Sequence, residues 1–273
     1  MRKNSTIRHT AAYRPSASPF SRRTHAIAVA AFALACLALL VAGCACLRIG
    51  AAYAQASVEP AAGEGAVSSA ASPDALDGGV AGVSTICLSV PAILQNPELP
   101  TGCEATALAS ALAFFGFDVD KTEIADEWLA RSDEDFVHAF LGDPHSDKGH
   151  TCMAPALVQA ANDYLAAQAS PLSARDCTGT PFSEVLELVA QGTPVIVWTT
   201  IGLAEPGEPY LMQTEGGVTY ELFAASHCLV LSGFDAAAGT VYASDPLEGA
   251  VAYDAELLAL RYQQLGSQAV AIS

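Results

Sequence analysis

Residues Val90–Gly116 read VPAILQNPELPTGCEATALASALAFFG: a strand end, a Pro-rich loop, then an apolar run that takes a helix. Thr101 and Glu104 stand three apart just before Ala105–Phe115. That is the spacing of a capping box, so Thr101 is expected as the N-cap and Gly116 as the stop. Cys103 then falls near the start of the helix, where the first-turn amides lack intrahelical partners and the positive end of the helix dipole is close. Both effects favour a thiolate over a thiol, as a nucleophilic cysteine requires. A small buried apolar residue is the other role open to a cysteine here.

Downstream, residues 86–273 alternate apolar runs with turn signals and make one domain of ordinary size. Ile86–Val90 reads as a short strand. A second capping-box spacing, Asp120 with Glu123, opens a helix expected to run to Ala130, with Ile124, Ala125 and Trp128 at helical spacing. Ala154–Gln168 and Pro181–Ala190 are expected helices, the latter stopped by Gly192 and Pro194. The pattern then changes. Val195–Thr200 is a continuous β-favouring run, Gly217–Glu221 is a candidate strand, and His227–Phe234 and Thr240–Ser244 follow. Ala255–Leu265 is expected as a helix and Gln268–Ile272 as a closing strand. Helices first and an antiparallel sheet afterwards is the order of an α+β fold.

Upstream, composition divides the chain into a basic N-region 1–25, an apolar segment 26–47 and a linker 48–85. Residues 1–48 hold seven of the twelve Lys and Arg and no acid, whereas the remainder holds five basic residues against all 29 Asp and Glu. The whole-chain charge of −17 conceals this split. An acidic body is repelled by phosphate, which argues against nucleic acid or an anionic membrane surface as its partner. The uncharged run Ala26–Leu47 is long enough to span a bilayer, and the basic flank puts the N-terminus inside. It reads equally as a long signal peptide. Val41-Ala42-Gly43-Cys44 resembles a lipobox, and Ala52-Tyr53-Ala54 is an A-x-A cleavage pattern. Anchor, lipoprotein and cleaved leader stay open, and each puts the domain outside the cytoplasm. The linker is Ala, Gly, Ser and Glu with few large apolar residues, too little to bury an ordered core.

His227 opens the apolar strand HCLVLSGF, and Asp245 ends the next one. The five-residue connection Asp235–Gly239 makes the two a hairpin. With the turn centred near Ala237, residue 229 lies opposite Asp245 and His227 is its diagonal neighbour on the same face. Such neighbours start ~7–8 Å apart, within reach of longer side chains. A carboxylate there would fix the imidazole's tautomer and hold its other nitrogen toward a thiolate. The alternatives are a structural histidine and an Asp-Pro strand exit.

With Gly102-Cys103-Glu104, Gly142-Asp143-Pro144-His145, Pro194–Trp198, His227-Cys228 and Asp245-Pro246-Leu247 in view, the domain from Val90 onward resembles papain-like cysteine peptidases. Within them it is most similar to the stand-alone relatives of the double-glycine leader peptidases that process bacteriocins. The resemblance implies a nucleophile helix packed on a C-terminal antiparallel sheet, peptide or protein substrates, and no cofactor or metal. It implies Cys103 as nucleophile, His227 as its base, Asp245 as the group orienting the imidazole, and Gln95 as an oxyanion donor. Two departures stand out. Gln95 lies eight residues before Cys103, a longer spacing than the leader peptidases use. The chain also shows no ATP-binding or multi-span segment, so leader maturation during export is not carried over.

Asp143, His145, Asp147, His150 and Cys152 crowd one loop without matching a zinc spacing, and the loop reads as a solvated connection. Five cysteines lie beyond the linker: Cys87, Cys103, Cys152, Cys177 and Cys228. In an oxidising compartment the four besides Cys103 could form two disulfides, Cys152 with Cys177 being the easiest pairing. The expectation is an extracytoplasmic thiol hydrolase acting on peptide bonds. The alternatives are a catalytically silent peptide or cell-wall binding module, and a cell-wall amidase or acyl transferase.

Overall fold

The computed structural model describes residues 84–214 and 216–273. The N-region, the apolar segment, both processing sites and nearly all of the linker lie outside the described residues. No helix among the described residues is long and apolar enough to cross a membrane.

A seven-stranded antiparallel sheet forms the framework. Its strands are β1 (Thr85–Cys87), β4 (Ala174–Asp176), β5 (Val195–Thr200), β8 (Ser226–Asp235), β9 (Thr240–Asp245), β10 (Gly249–Asp254) and β11 (Ala269–Ile272). They run in the order β10-β9-β8-β5-β11-β4, with β1 also paired to β8. β8 is long enough to have two neighbours on one edge: β5 along Ser226–Leu231 and β1 along Gly233–Asp235. Gly233 is required there, since a Cβ would collide with the backbone of Ile86. Two short pairs, β2 (Arg131–Ser132) with β3 (Phe140–Leu141) and β6 (Tyr210–Gln213) with β7 (Thr219–Leu222), stand apart from this sheet.

The period-2 alternation of the strands divides two apolar layers. Ile196, Trp198, Cys228, Val230, Val270 and Ile272 join the cluster beneath α1 (Cys103–Phe114) and α3 (Ala154–Ala167). Val195, Val197, Leu229, Leu231, Ala269 and Ala271 face the other way, onto α4 (Phe182–Ala190) and α5 (Ala255–Gln264). Helices on both faces explain why β5 is buried at every residue and reads as an unbroken apolar run.

The sequence-based expectations need four local corrections. Gly102, not Thr101, caps α1, and no side chain supplies that cap. The second capping box forms by half: Asp120 accepts from the Thr122 amide, but Glu123 takes the Trp128 indole hydrogen. The following helix is α2 (Lys121–Glu123) continued as one π turn, Ile124–Trp128, and ends short of Ala130. All five described cysteines are free thiols, so Cys152 and Cys177 are not bridged. Strands β2, β3, β4, β6 and β10 are further additions to the expected set.

Candidate active site

Cys103 opens α1, the helix that packs against β8, and its thiol is 7% exposed. His227 lies at the start of β8 and Asp245 at the end of β9, both buried. Imidazole Nε2 meets Asp245 Oδ1 at 2.8 Å. The expected pairing of these two is therefore present, and it depends on a bulge. Near the turn the register is Asp235 with Thr240 and Gly233 with Tyr242; past Ser232 it shifts to Leu231 with Ala243 and Val230 with Ser244. Continued, the shifted register sets Leu229 opposite Asp245, which puts His227 and Asp245 on one face. Had the register near the turn continued unshifted, Asp245 would lie opposite Val230 and share a face with Cys228 instead.

Asp245 is saturated with donors. Oδ1 also accepts from the Leu247 amide at 2.7 Å and the Glu248 amide at 3.3 Å, and Oδ2 accepts from the Tyr253 hydroxyl at 2.7 Å. Burial pushes this carboxyl's pKa up, but the His227 hydrogen bond and charge, with the amide and phenol donors, outweigh it and hold the pKa below the ordinary carboxylate range. Tyr253 sits on β10, which the sequence reading leaves unassigned. The alternating stretch GAVAYD, one tight turn after β9, was the signal that could have found it.

The sulfur has different company. β9 stops at Asp245, so the ladder beside Cys228 is open on that side, and the Cys228 backbone acts to lower the Cys103 pKa. The thiol donates to Glu104 Oε2 at 3.2 Å. Among the described residues no hydrogen bond joins Cys103 to His227. Burial raises the thiol's pKa well above its ordinary value; the charge and hydrogen bond of Glu104 add to this, the Cys228 backbone opposes it, and Asp245 adds a smaller push. Glu104 does not close a capping box. Its Oε1 accepts from the Thr151 hydroxyl at 2.6 Å and the Cys152 amide at 3.1 Å.

Gln95 is buried in the loop ahead of α1. Its Nε2 donates to Pro100 O at 2.8 Å, and Oε1 is buried without a partner among the described residues. The loop is pinned at both ends. The Gln95 amide donates to Pro246 O at 2.8 Å, next to Asp245. The Lys121 ammonium donates to Leu94 O at 2.5 Å, Gln95 O at 3.0 Å and Glu98 Oε2 at 2.7 Å. In the loop considered as a metal candidate, Asp143 pairs with Arg131, while His145 meets Glu98 O and Asp126. A cavity of about 480 Å³ opens beside the site, lined among others by Thr151, Cys152, Met153, Leu222, Phe223 and Ser226. Of these, Thr151 hydrogen-bonds the Glu104 carboxylate and Ser226 precedes His227 on β8.

Residues 87–270 match the Peptidase_C39 like family. A solved structure described as a C39-like peptidase from Bacillus anthracis is 30% identical, with 69% of this chain and 97% of that one covered and a TM-score of 0.62. The uncharacterized protein YvpB of Bacillus subtilis is 28% identical over 191 residues, 66% of this chain and 72% of its own length. A double-glycine motif protease from an AMS/PCAT transporter superposes more loosely, at a TM-score of 0.40 and 17% identity.

Proposed function

Because the chain belongs to the Peptidase_C39 like family, whose fold is papain-like, we propose that it is a thiol peptidase working through Cys103, His227 and Asp245. The Cys103 sulfur attacks a peptide carbonyl as its proton passes to His227. The leaving amine takes that proton, and water then hydrolyses the thioester with His227 as base. Asp245 orients the imidazole through Nε2, leaving Nδ1 for the sulfur side. The Cys103 backbone amide and Gln95 Nε2 serve the oxyanion. The observation that carries this reading is the buried 2.8 Å His227–Asp245 pair at the start of β8, the strand on which the Cys103 helix packs.

The basic residues ahead of an uncharged run at Ala26–Leu47 support export, with the domain acting outside the cytoplasm on peptides or proteins. The test is covalent labelling by a peptide bearing a thiol-reactive warhead. Label is expected at Cys103, lost in Cys103→Ala and reduced on the order of 10²–10⁴-fold in His227→Ala. Label at another cysteine, or none, sinks the proposal.

A second reading has its own support. The thiol is given to Glu104 rather than to the imidazole, as suits a silent peptide-binding module. Mass spectrometry of candidate peptides after incubation separates the two: cleavage products mean a peptidase, unchanged bound peptide a binding module.

A further inference from the structure

Glu104 is 1% exposed, and among the described residues no Lys, Arg or His forms an ion pair with it. A buried carboxylate without a counter-charge is costly, and burial raises its pKa above the ordinary value. Every group that touches it is a donor: the Thr151 hydroxyl and Cys152 amide at Oε1, and the Cys103 thiol at Oε2. Three donors and no acceptor fit the ionised form. The remaining titratable groups acting on this spot are Cys152 ahead of α3, Cys228 on β8 and Asp245 on β9, and His227 is held by Asp245. None of these brings a fixed positive charge to Glu104. Lys121, on the short helix that follows α1, is taken up by Leu94, Gln95 and Glu98.

We infer that Glu104 is a positioning residue that holds the resting Cys103 as a neutral, hydrogen-bonded thiol, in competition with His227 for the same proton. The inference rests on Cys103 being the nucleophile. In activation the S–H bond breaks, its electron pair stays on sulfur, and the proton moves to His227 Nδ1. Glu104 gains no proton and loses the hydrogen bond it accepted. Its negative charge then opposes the new thiolate, so the resting state is the uncharged pair rather than a standing thiolate–imidazolium. An exported enzyme gains from this arrangement, because oxidants react with thiolates far faster than with thiols.

The test is the rate of iodoacetamide alkylation at Cys103 against pH, read on the Cys103 peptide by mass spectrometry. Glu104→Gln keeps the shape and removes the charge. It should move the midpoint down by at least one pH unit, making alkylation at pH 7 about tenfold faster or more. Glu104→Asp, which keeps the charge, should stay near the wild type. An unchanged or slower Glu104→Gln overturns the inference. Should that variant fail to fold, the unsubstituted protein decides. Its Cys103 ¹³Cβ resonance should hold the thiol position through pH 8, and a thiolate position at pH 7 sinks the idea. Neither readout needs a substrate. If Cys103→Ala abolishes hydrolysis while these titrations fail, the peptidase reading stands and this inference alone falls.

Discussion

His227 Nε2 lies 2.8 Å from Asp245 Oδ1 in a register that β8 and β9 reach by bulging at Ser232. The register between β8 and β9 changes by one there, and a change of one reverses which face a side chain occupies. Deleting Val230 should therefore cost activity at least ~100-fold and lower the melting temperature, because pairing continued from Leu231 with Ala243 then sets Cys228 opposite Asp245 and leaves His227 on the other face. Adding a residue within Ala236–Gly239 leaves strand pairing free to continue and should keep activity within about threefold, since hairpin turns absorb insertions. Peptide hydrolysis with a melting curve for each variant checks both.

Asp245 also sets an acid limit on stability. Its folded pKa lies below the ordinary value, so the unfolded chain binds the proton more readily. The resulting stabilisation is present above the unfolded pKa near 4 and is lost as pH falls through the lower folded value. The stability difference between wild type and Asp245→Asn should shrink on acidification below about pH 4. Urea unfolding at stepped pH measures it, and a difference that widens on acidification contradicts the assignment.

Tyr253 should matter through the carboxylate it touches. Tyr253→Phe takes a donor from Asp245 Oδ2 and leaves that oxygen short of a partner, at a cost of about 1–3 kcal/mol in stability. With the other donors still in place, kcat should fall only several-fold and KM should hold. Steady-state kinetics beside urea unfolding would expose a larger catalytic role as a loss of more than ~100-fold in kcat, the scale of a direct catalytic donor.

A change at Lys121 tests the proposed oxyanion loop apart from the proposed nucleophile. Lys121→Met removes the ammonium that binds Leu94 O and Gln95 O, loosening Gln95 without touching the sulfur. A loosened oxyanion donor should lower kcat by roughly 10²-fold. Cys103 alkylation should stay at the wild-type rate, and equal loss of both would mean that the whole site has shifted.

What could be read in the chain beforehand followed from periodicity and turn length. The run Val195–Thr200, the hairpin from His227 to Asp245 and the helix behind Cys103 were all local patterns, and each formed nearly as expected. The expected position of Leu229 opposite Asp245 agrees with the observed register only through the bulge, which no local pattern announced. The failures were places where a distant partner overrode a local motif. Thr101 and Glu104 have the spacing of a capping box, yet Thr101 donates to Pro144 O and Ser146 O, and Glu104 turns to Thr151 and Cys152. Those partners lie more than forty residues away along the chain. β10 is weakly marked in the sequence because Gly249–Asp254 alternates half-buried with exposed residues and carries little apolar signal.

β8 gathers its neighbours from both ends of the domain: β1 precedes the nucleophile helix, while β9 follows more than a hundred residues later. Contacts of such sequence separation close late, since long loops must be paid for in entropy before they are rewarded. During synthesis the thiol emerges well before the imidazole and its carboxylate. If these groups are the catalytic set proposed above, a half-made chain has no means of cutting its neighbours, and the hazard is deferred until the last strands have left the ribosome.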